Sequence, residues 1–173
     1  MNIPNWVTVS RLFAIPFLFI TLYIPGDTYR WISLALFLVI SGTDWLDGYL
    51  ARRLDQVTEL GKFLDPLVDK LLVLAPLLVL VEQQQIPAWG VFLILARELI
   101  IAGWRVNQTQ VSGANIWGKA KTVSQIVAIA LLIAPLPITW EQFAIAAFWI
   151  SVALTILSGV MYLLPKQQSP HQN

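Results

Sequence analysis

Asp44-Trp45-Leu46-Asp47-Gly48-Tyr49-Leu50-Ala51-Arg52 and, after eight intervening residues, Gly61-Lys62-Phe63-Leu64-Asp65-Pro66-Leu67-Val68-Asp69 place four carboxylates inside or at the edges of apolar runs. Asp44 and Asp47 are three apart, and Asp65 and Asp69 four apart, so on helices each pair shares one face. A carboxylate at the centre of a bilayer costs about 2.5–3.5 kcal/mol on insertion scales, so four of them need a reason to be there. A short polar segment joins the two stretches and makes them antiparallel. Asp44 lies eight positions before Arg52 and Asp69 eight after Gly61. Both therefore lie roughly 12 Å in from those markers, with Asp47 and Asp65 at a shallower level. Two facing pairs at matched depths form an oxygen cage suited to hard divalent cations, and four carboxylates can hold two ions. Pro66 removes a donor and biases Asp65 away from helix, so a kink there, or a helix that starts at Asp65, is expected. Gly48 and Ala51 leave room for a ligand beside the first pair, and Arg52 can meet its phosphate. A structural ion-pair network of these aspartates with Arg52, Arg53 and Lys70 is the competing reading.

The rest of the 173 residues supplies the solvent for this cluster. The chain is 57% hydrophobic and 12% charged, with a mean hydropathy of +0.69. Soluble domains carry about 25% charged residues, so this chain has too little polar surface to cover a globule in water. A net charge of +1 offers no field for nucleic acid. The absence of cysteine excludes disulfides, thiolate metal sites and a cysteine nucleophile. The single histidine, His171, lies in a polar tail expected to be a disordered end, which removes support for zinc sites and Ser-His-Asp catalysis.

Spans of about 20 apolar residues divide the chain into six candidates: Thr8–Ile24, Trp31–Arg52, Gly61–Val81, Ala88–Val106, Trp117–Ala134 and Gln142–Leu164. Turn chemistry separates them, notably Pro25-Gly26-Asp27, Glu82 to Pro87, Ser112-Gly113, and Pro135 with Pro137. Pro16 interrupts the first apolar run and no small-residue cleavage pattern follows, so a retained span is expected. Arg11, Arg52, Arg53, Lys62, Arg105, Lys119, Lys121 and Lys166 gather at one set of ends. The positive-inside rule then places both termini in the cytoplasm. The expected fold is all-α: one polytopic membrane domain over residues 1–165 with six transmembrane helices, followed by a polar tail over 166–173. Trp6, Trp31, Trp89, Trp117 and Trp140 near the span ends fit interfacial anchors.

The aspartate stretch resembles the signature of the CDP-alcohol phosphotransferase family, with every fixed position of Asp44-x-x-Asp47-Gly48-x-x-Ala51-Arg52 and Gly61-x-x-x-Asp65-x-x-x-Asp69 filled. The family's fold is six transmembrane helices, in agreement with the span count. Asn2-Ile3-Pro4-Asn5 with Thr8, Arg11 and Pro16, Ala96-Arg97-Glu98-Leu99, and Gly118 to Thr122 with Gln125 resemble the bacterial branch that takes glycerol 3-phosphate as acceptor. The resemblance implies a transferase of phospholipid biosynthesis that moves a phosphatidyl group from CDP-diacylglycerol to sn-glycerol 3-phosphate and releases CMP. It implies Mg²⁺ or Mn²⁺, two ions, on Asp44, Asp47, Asp65 and Asp69, with Asp69 also the general base. Asn5, Thr8, Gly48, Ala51, Arg52, Thr58 and Gly61 would line the CDP-diacylglycerol site. It further implies a homodimer among membrane lipids in the bacterial cell membrane, with the active site toward the cytoplasm and no nucleic-acid partner.

A second cluster bears on the acceptor. Arg97 and Arg105, eight apart, project within about 80° of one another on a helix. With Lys119, Lys121 and Arg11 they make five cations at the proposed cytoplasmic side, more than an uncharged acceptor requires. An acceptor phosphate would use Arg97 and Arg105 as forks. Topology-setting charges that touch anionic lipid are the plainer reading. Glu98 is expected to point elsewhere on the helix. Three rival functions remain at this point: the same chemistry with inositol phosphate, serine or phosphatidylglycerol as acceptor, divalent-cation transport, and a catalytically dead scaffold.

Overall fold

The computed structural model describes residues 3–54, 59–106 and 116–163. Thr58 and the polar tail lie outside them. Among the described residues there are six helices and no strands: α1 (Ile3–Tyr23), α2 (Asp27–Leu54), α3 (Glu59–Glu82), α4 (Ala88–Val106), α5 (Ile116–Ile133) and α6 (Ile138–Leu163). The all-α expectation with six helices holds. The helix bounds lie within a few residues of the expected spans, apart from α1, which starts five residues early and takes Asn5 into the helix. α3 does not begin at Asp65. It runs from Glu59 through both Pro66 and Pro76, and the Pro66 carbonyl accepts a bond from the Lys70 ammonium at 3.1 Å.

Local chemistry sets the ends. Gly26 takes φ of +119°, a conformation open to glycine, and its carbonyl receives the Arg30 amide at 3.2 Å, opening α2. Asp27 in the first turn complements the helix dipole. α3 closes in a Schellman turn: Gln84 N–H reaches Val81 O at 3.0 Å and Gln85 N–H reaches Leu80 O at 2.9 Å, with Gln84 at φ of 59°. Arg30 then caps a different helix, donating from Nε to Ile133 O at 3.0 Å and from Nη2 to Leu132 O at 2.7 Å at the end of α5. Gln83 does the same for α1 through Leu22 O at 2.9 Å.

These contacts fix the directions of the helices. Thr8 meets Asp65 at one end and Leu22 meets Gln83 at the other, so α1 and α3 run parallel. Gly90 lies against Phe148, and Arg97 bonds Ser158, so α4 and α6 run parallel as well. Arg30 at the start of α2 touches the end of α5, which sets those two antiparallel. The described helices therefore alternate in direction, and the start of α1 and the end of α6 lie at one end of the bundle. α5 packs most extensively on α6, and α1 packs on both α2 and α3, which touch each other only sparsely among the described residues.

The core between them is apolar, with Leu18, Phe37, Val79, Ile133 and Phe148 fully buried. At Gly90 an added Cβ would come within 2.7 Å of the Phe148 ring, so glycine permits the close α4–α6 approach. The outside is apolar too: Phe13, Phe17, Val39, Phe92, Val123 and Ile150 are all exposed. Among the described residues one helix, Ile138–Tyr162, is by itself long and apolar enough to cross a membrane. α4, by contrast, carries Arg97, Glu98 and Arg105 within its 19 residues.

Candidate active site

Two polar clusters occupy the same end of the bundle. The first joins α1 to α3. Thr8 and Arg11 are three apart on α1, Asp65 and Asp69 four apart on α3, and parallel packing brings the pairs into register. Thr8 Oγ1 donates to Asp65 Oδ1 at 2.5 Å. Arg11 Nη1 lies 3.5 Å from Asp69 Oδ1, with the arginine side chain 5% exposed and the aspartate 47%. A buried cation thus holds a carboxylate whose other edge faces outward. That suits a group that must meet a substrate while keeping its orientation.

The second cluster joins α4, α5 and α6. Glu98 Oε1 accepts from Arg97 Nη1 at 3.1 Å and from the Lys121 ammonium in a short ion pair. Arg97 Nη2 continues to Ser158 Oγ at 2.9 Å. The expectation that Glu98 points away from Arg97 is overturned. The Cβ atoms of neighbouring helical residues diverge by about 100°, yet these side chains are long enough to converge at their tips. α3, which carries Asp65 and Asp69, packs on α5, which carries Lys121, and this relates the two clusters.

The residues present fit a divalent cation in their chemistry. Asp65 and Asp69 present carboxylate oxygens one turn apart on α3, and a hydroxyl and a guanidinium orient them. Among the described residues no group of three or more carboxylates or imidazoles assembles by itself. Asp44 and Asp47 lie on α2, and their side chains are outside the described ones.

The comparisons with known proteins decide the family. The model of the CDP-alcohol phosphatidyltransferase family matches residues 1–157. The chain belongs to this family. The CDP-diacylglycerol–glycerol-3-phosphate 3-phosphatidyltransferase of Bacillus subtilis (strain 168) is 42% identical over 93% of this chain and 93% of its own length. Its namesakes in Haemophilus influenzae (strain Rd) and Escherichia coli (strain K12) are 37% and 38% identical over 94% of this chain, covering 91% and 93% of their own.

In this CDP-alcohol phosphatidyltransferase the expected site residues sort by position. Gly48, Ala51 and Arg52 lie on α2 beside the first aspartate pair, Gly61 in the first turn of α3 and Asn5 in that of α1; their side-chain surroundings, like those of Arg105, are outside the described ones. Thr8 and Arg11 contact α3 aspartates directly. Lys121 is buried and Lys119 exposed. Sequence reasoning missed Ser158, Thr155 and Gly159 on α6. A signal was available, since Ser151, Thr155 and Ser158 repeat at helical spacing in an otherwise apolar helix.

Proposed function

We propose that this chain transfers a phosphatidyl group from CDP-diacylglycerol to the hydroxyl of sn-glycerol 3-phosphate, yielding phosphatidylglycerophosphate and CMP. The observation that carries the reading is the meeting, at one end of the bundle, of oriented aspartates (Asp65 and Asp69) with a pair of cations (Arg97 and Lys121). The names of the relatives, at 37–42% identity over nearly the whole chain, support the same substrates.

In this reading Asp44, Asp47, Asp65 and Asp69 would hold Mg²⁺ or Mn²⁺, two ions. When bound, they supply charge neutralisation at the diphosphate of the nucleotide. Thr8 fixes the Asp65 carboxylate, and Arg11 holds Asp69 turned toward the substrate. Asn5, Gly48, Ala51, Arg52, Thr58 and Gly61 line the nucleotide side. Asp69 takes the proton from the acceptor hydroxyl as its oxygen bonds to the phosphorus bearing diacylglycerol. The bond from that phosphorus to the bridging oxygen breaks, and the electron pair leaves with CMP. Arg97 and Lys121, with Arg105 and Lys119, hold the acceptor's phosphate. Arg11, expected at the acceptor's phosphate, also orients Asp69.

The setting is the cell membrane, with six spans, both termini and the active site toward the cytoplasm, and two copies forming a homodimer. The apolar outer face supports lipid as the solvent, and the alternating helix directions support termini on one side. Residues 1–165 form the single catalytic domain.

The test is CMP release by the purified full chain in lipid with CDP-diacylglycerol and divalent metal. The acceptors are glycerol 3-phosphate, inositol phosphate, serine or none, and Asp69→Asn is the control. CMP formed with glycerol 3-phosphate and lost in Asp69→Asn supports the proposal. Turnover confined to another acceptor overturns the acceptor, and metal flux without CMP release overturns the chemistry.

A further inference from the structure

α6 contributes nothing to the proton transfer, yet it carries a buried polar stripe. Ser151, Thr155 and Ser158 follow at intervals of four and three on one helix face, all buried. Each hydroxyl donates within its own helix: Ser151 to Phe148 O at 2.7 Å, Thr155 to Ser151 O at 2.7 Å, and Ser158 to Thr155 O at 2.9 Å. Their oxygens are thereby turned to accept bonds from other helices. Thr155 accepts Gln125 Nε2 of α5 at 2.9 Å, and Ser158 accepts Arg97 Nη2 of α4 at 2.9 Å.

The next residue, Gly159, shapes the same arginine. A Cβ there would lie 2.9 Å from Arg97 Cγ and 3.3 Å from its Nε, so the Arg97 stem fills the space left by the missing side chain. Arg97 is therefore held at three points: its stem and Nε against Gly159, Nη2 on Ser158 and Nη1 on Glu98. Each Nη retains a second N–H, because a guanidinium has five donors. A cation needed only for topology or charge balance requires no such seat.

We propose that Ser158 and Gly159 of α6 are positioning residues that fix the Arg97 guanidinium for the phosphate of the acceptor, an inference that rests on the phosphatidyl-transfer reading above. Phosphate recognition by arginine depends on the plane and direction of its fork. A long side chain left free must surrender rotamer entropy when its ligand arrives, and a seat on α6 removes that cost beforehand.

The experiment is steady-state kinetics of the full chain in lipid, varying glycerol 3-phosphate and CDP-diacylglycerol separately. Ser158→Ala and Gly159→Ala are expected to raise KM for glycerol 3-phosphate by about three- to tenfold, with kcat and KM for CDP-diacylglycerol changed less than about twofold. Ser158→Thr, which keeps the hydroxyl, restores the wild-type KM. In an Arg97→Lys background, Ser158→Ala adds less than about twofold, because the fork it seats is gone. Equal effects of Ser158→Ala with and without Arg97 overturn the inference and leave the reaction intact. Losses spread evenly over kcat and both KM values, or no KM change in Ser158→Ala, overturn it as well. A wild-type chain that neither binds nor uses glycerol 3-phosphate overturns the functional reading and this inference together.

Discussion

Glu98→Gln isolates the electrostatics of the α4–α5–α6 cluster, because it keeps the side chain's shape and removes one charge. In the native chain one carboxylate oxygen serves both Arg97 Nη1 and Lys121 Nζ, and the three side chains are 20%, 13% and 9% exposed, in the order Glu98, Arg97, Lys121. At an effective dielectric constant of about 20, the 3.1 Å contact between Arg97 and Glu98 gives about 5 kcal/mol of attraction, opposed by the cost of desolvating both charges. Removing one partner of a buried pair costs about 3–5 kcal/mol, since the other charge stays behind uncompensated. Here two cations stay behind, and partial exposure lets water recover some of the loss. We therefore expect a destabilisation of about 2–4 kcal/mol. At about 2–4 °C per kcal/mol for a chain of this size, the apparent Tm falls by roughly 4–16 °C. Thermal unfolding of the solubilised protein followed by tryptophan fluorescence reads this directly, with eight tryptophans as reporters. Adding Lys121→Met to Glu98→Gln should recover at least half of the drop by removing the orphaned ammonium. A fall below about 2 °C, or no recovery in the double variant, would refute the argument that this trio is a mutually dependent buried network.

Thr8→Val removes the hydroxyl that orients Asp65 at 2.5 Å; the metal concentration for half-maximal CMP release should rise about three- to tenfold, read by titrating Mg²⁺ or Mn²⁺. Gln84→Gly should stabilise the chain by about 0.5–1 kcal/mol, because the turn holds residue 84 at φ of 59°, seen as a Tm rise of about 1–4 °C. Gly90→Ala should lower stability by about 1–3 kcal/mol, since the new Cβ meets the Phe148 ring at 2.7 Å; Gly90→Ala with Phe148→Leu should regain part of it in the same melt.

Length, apolar composition and the Pro/Gly breaks were enough to divide the chain into six helices, because these features act through local propensity and the cost of exposed backbone. The shared helix face of each aspartate pair was likewise legible, since face-sharing is a matter of sequence offset alone, while the family was suggested by resemblance of the whole filled motif. Which partners those aspartates meet was not legible. The facing of α2 and α3 that the sequence suggests turns on Asp44 and Asp47, whose side chains lie outside the described ones. In the structure Thr8 and Arg11 of α1 hold Asp65 and Asp69, because α1 runs parallel to α3 in matching register. Glu98 was misread because offset arithmetic describes Cβ directions and says nothing of where long, charged side-chain tips converge. The α6 seat for Arg97 joins residues 61 positions apart, and Gly159 matters only because an arginine from another helix fills its space. Periodicity and composition are properties of a segment and can be read from it. A hydrogen bond between α4 and α6 depends on how helices distant in sequence pack, and only the tertiary structure decides that.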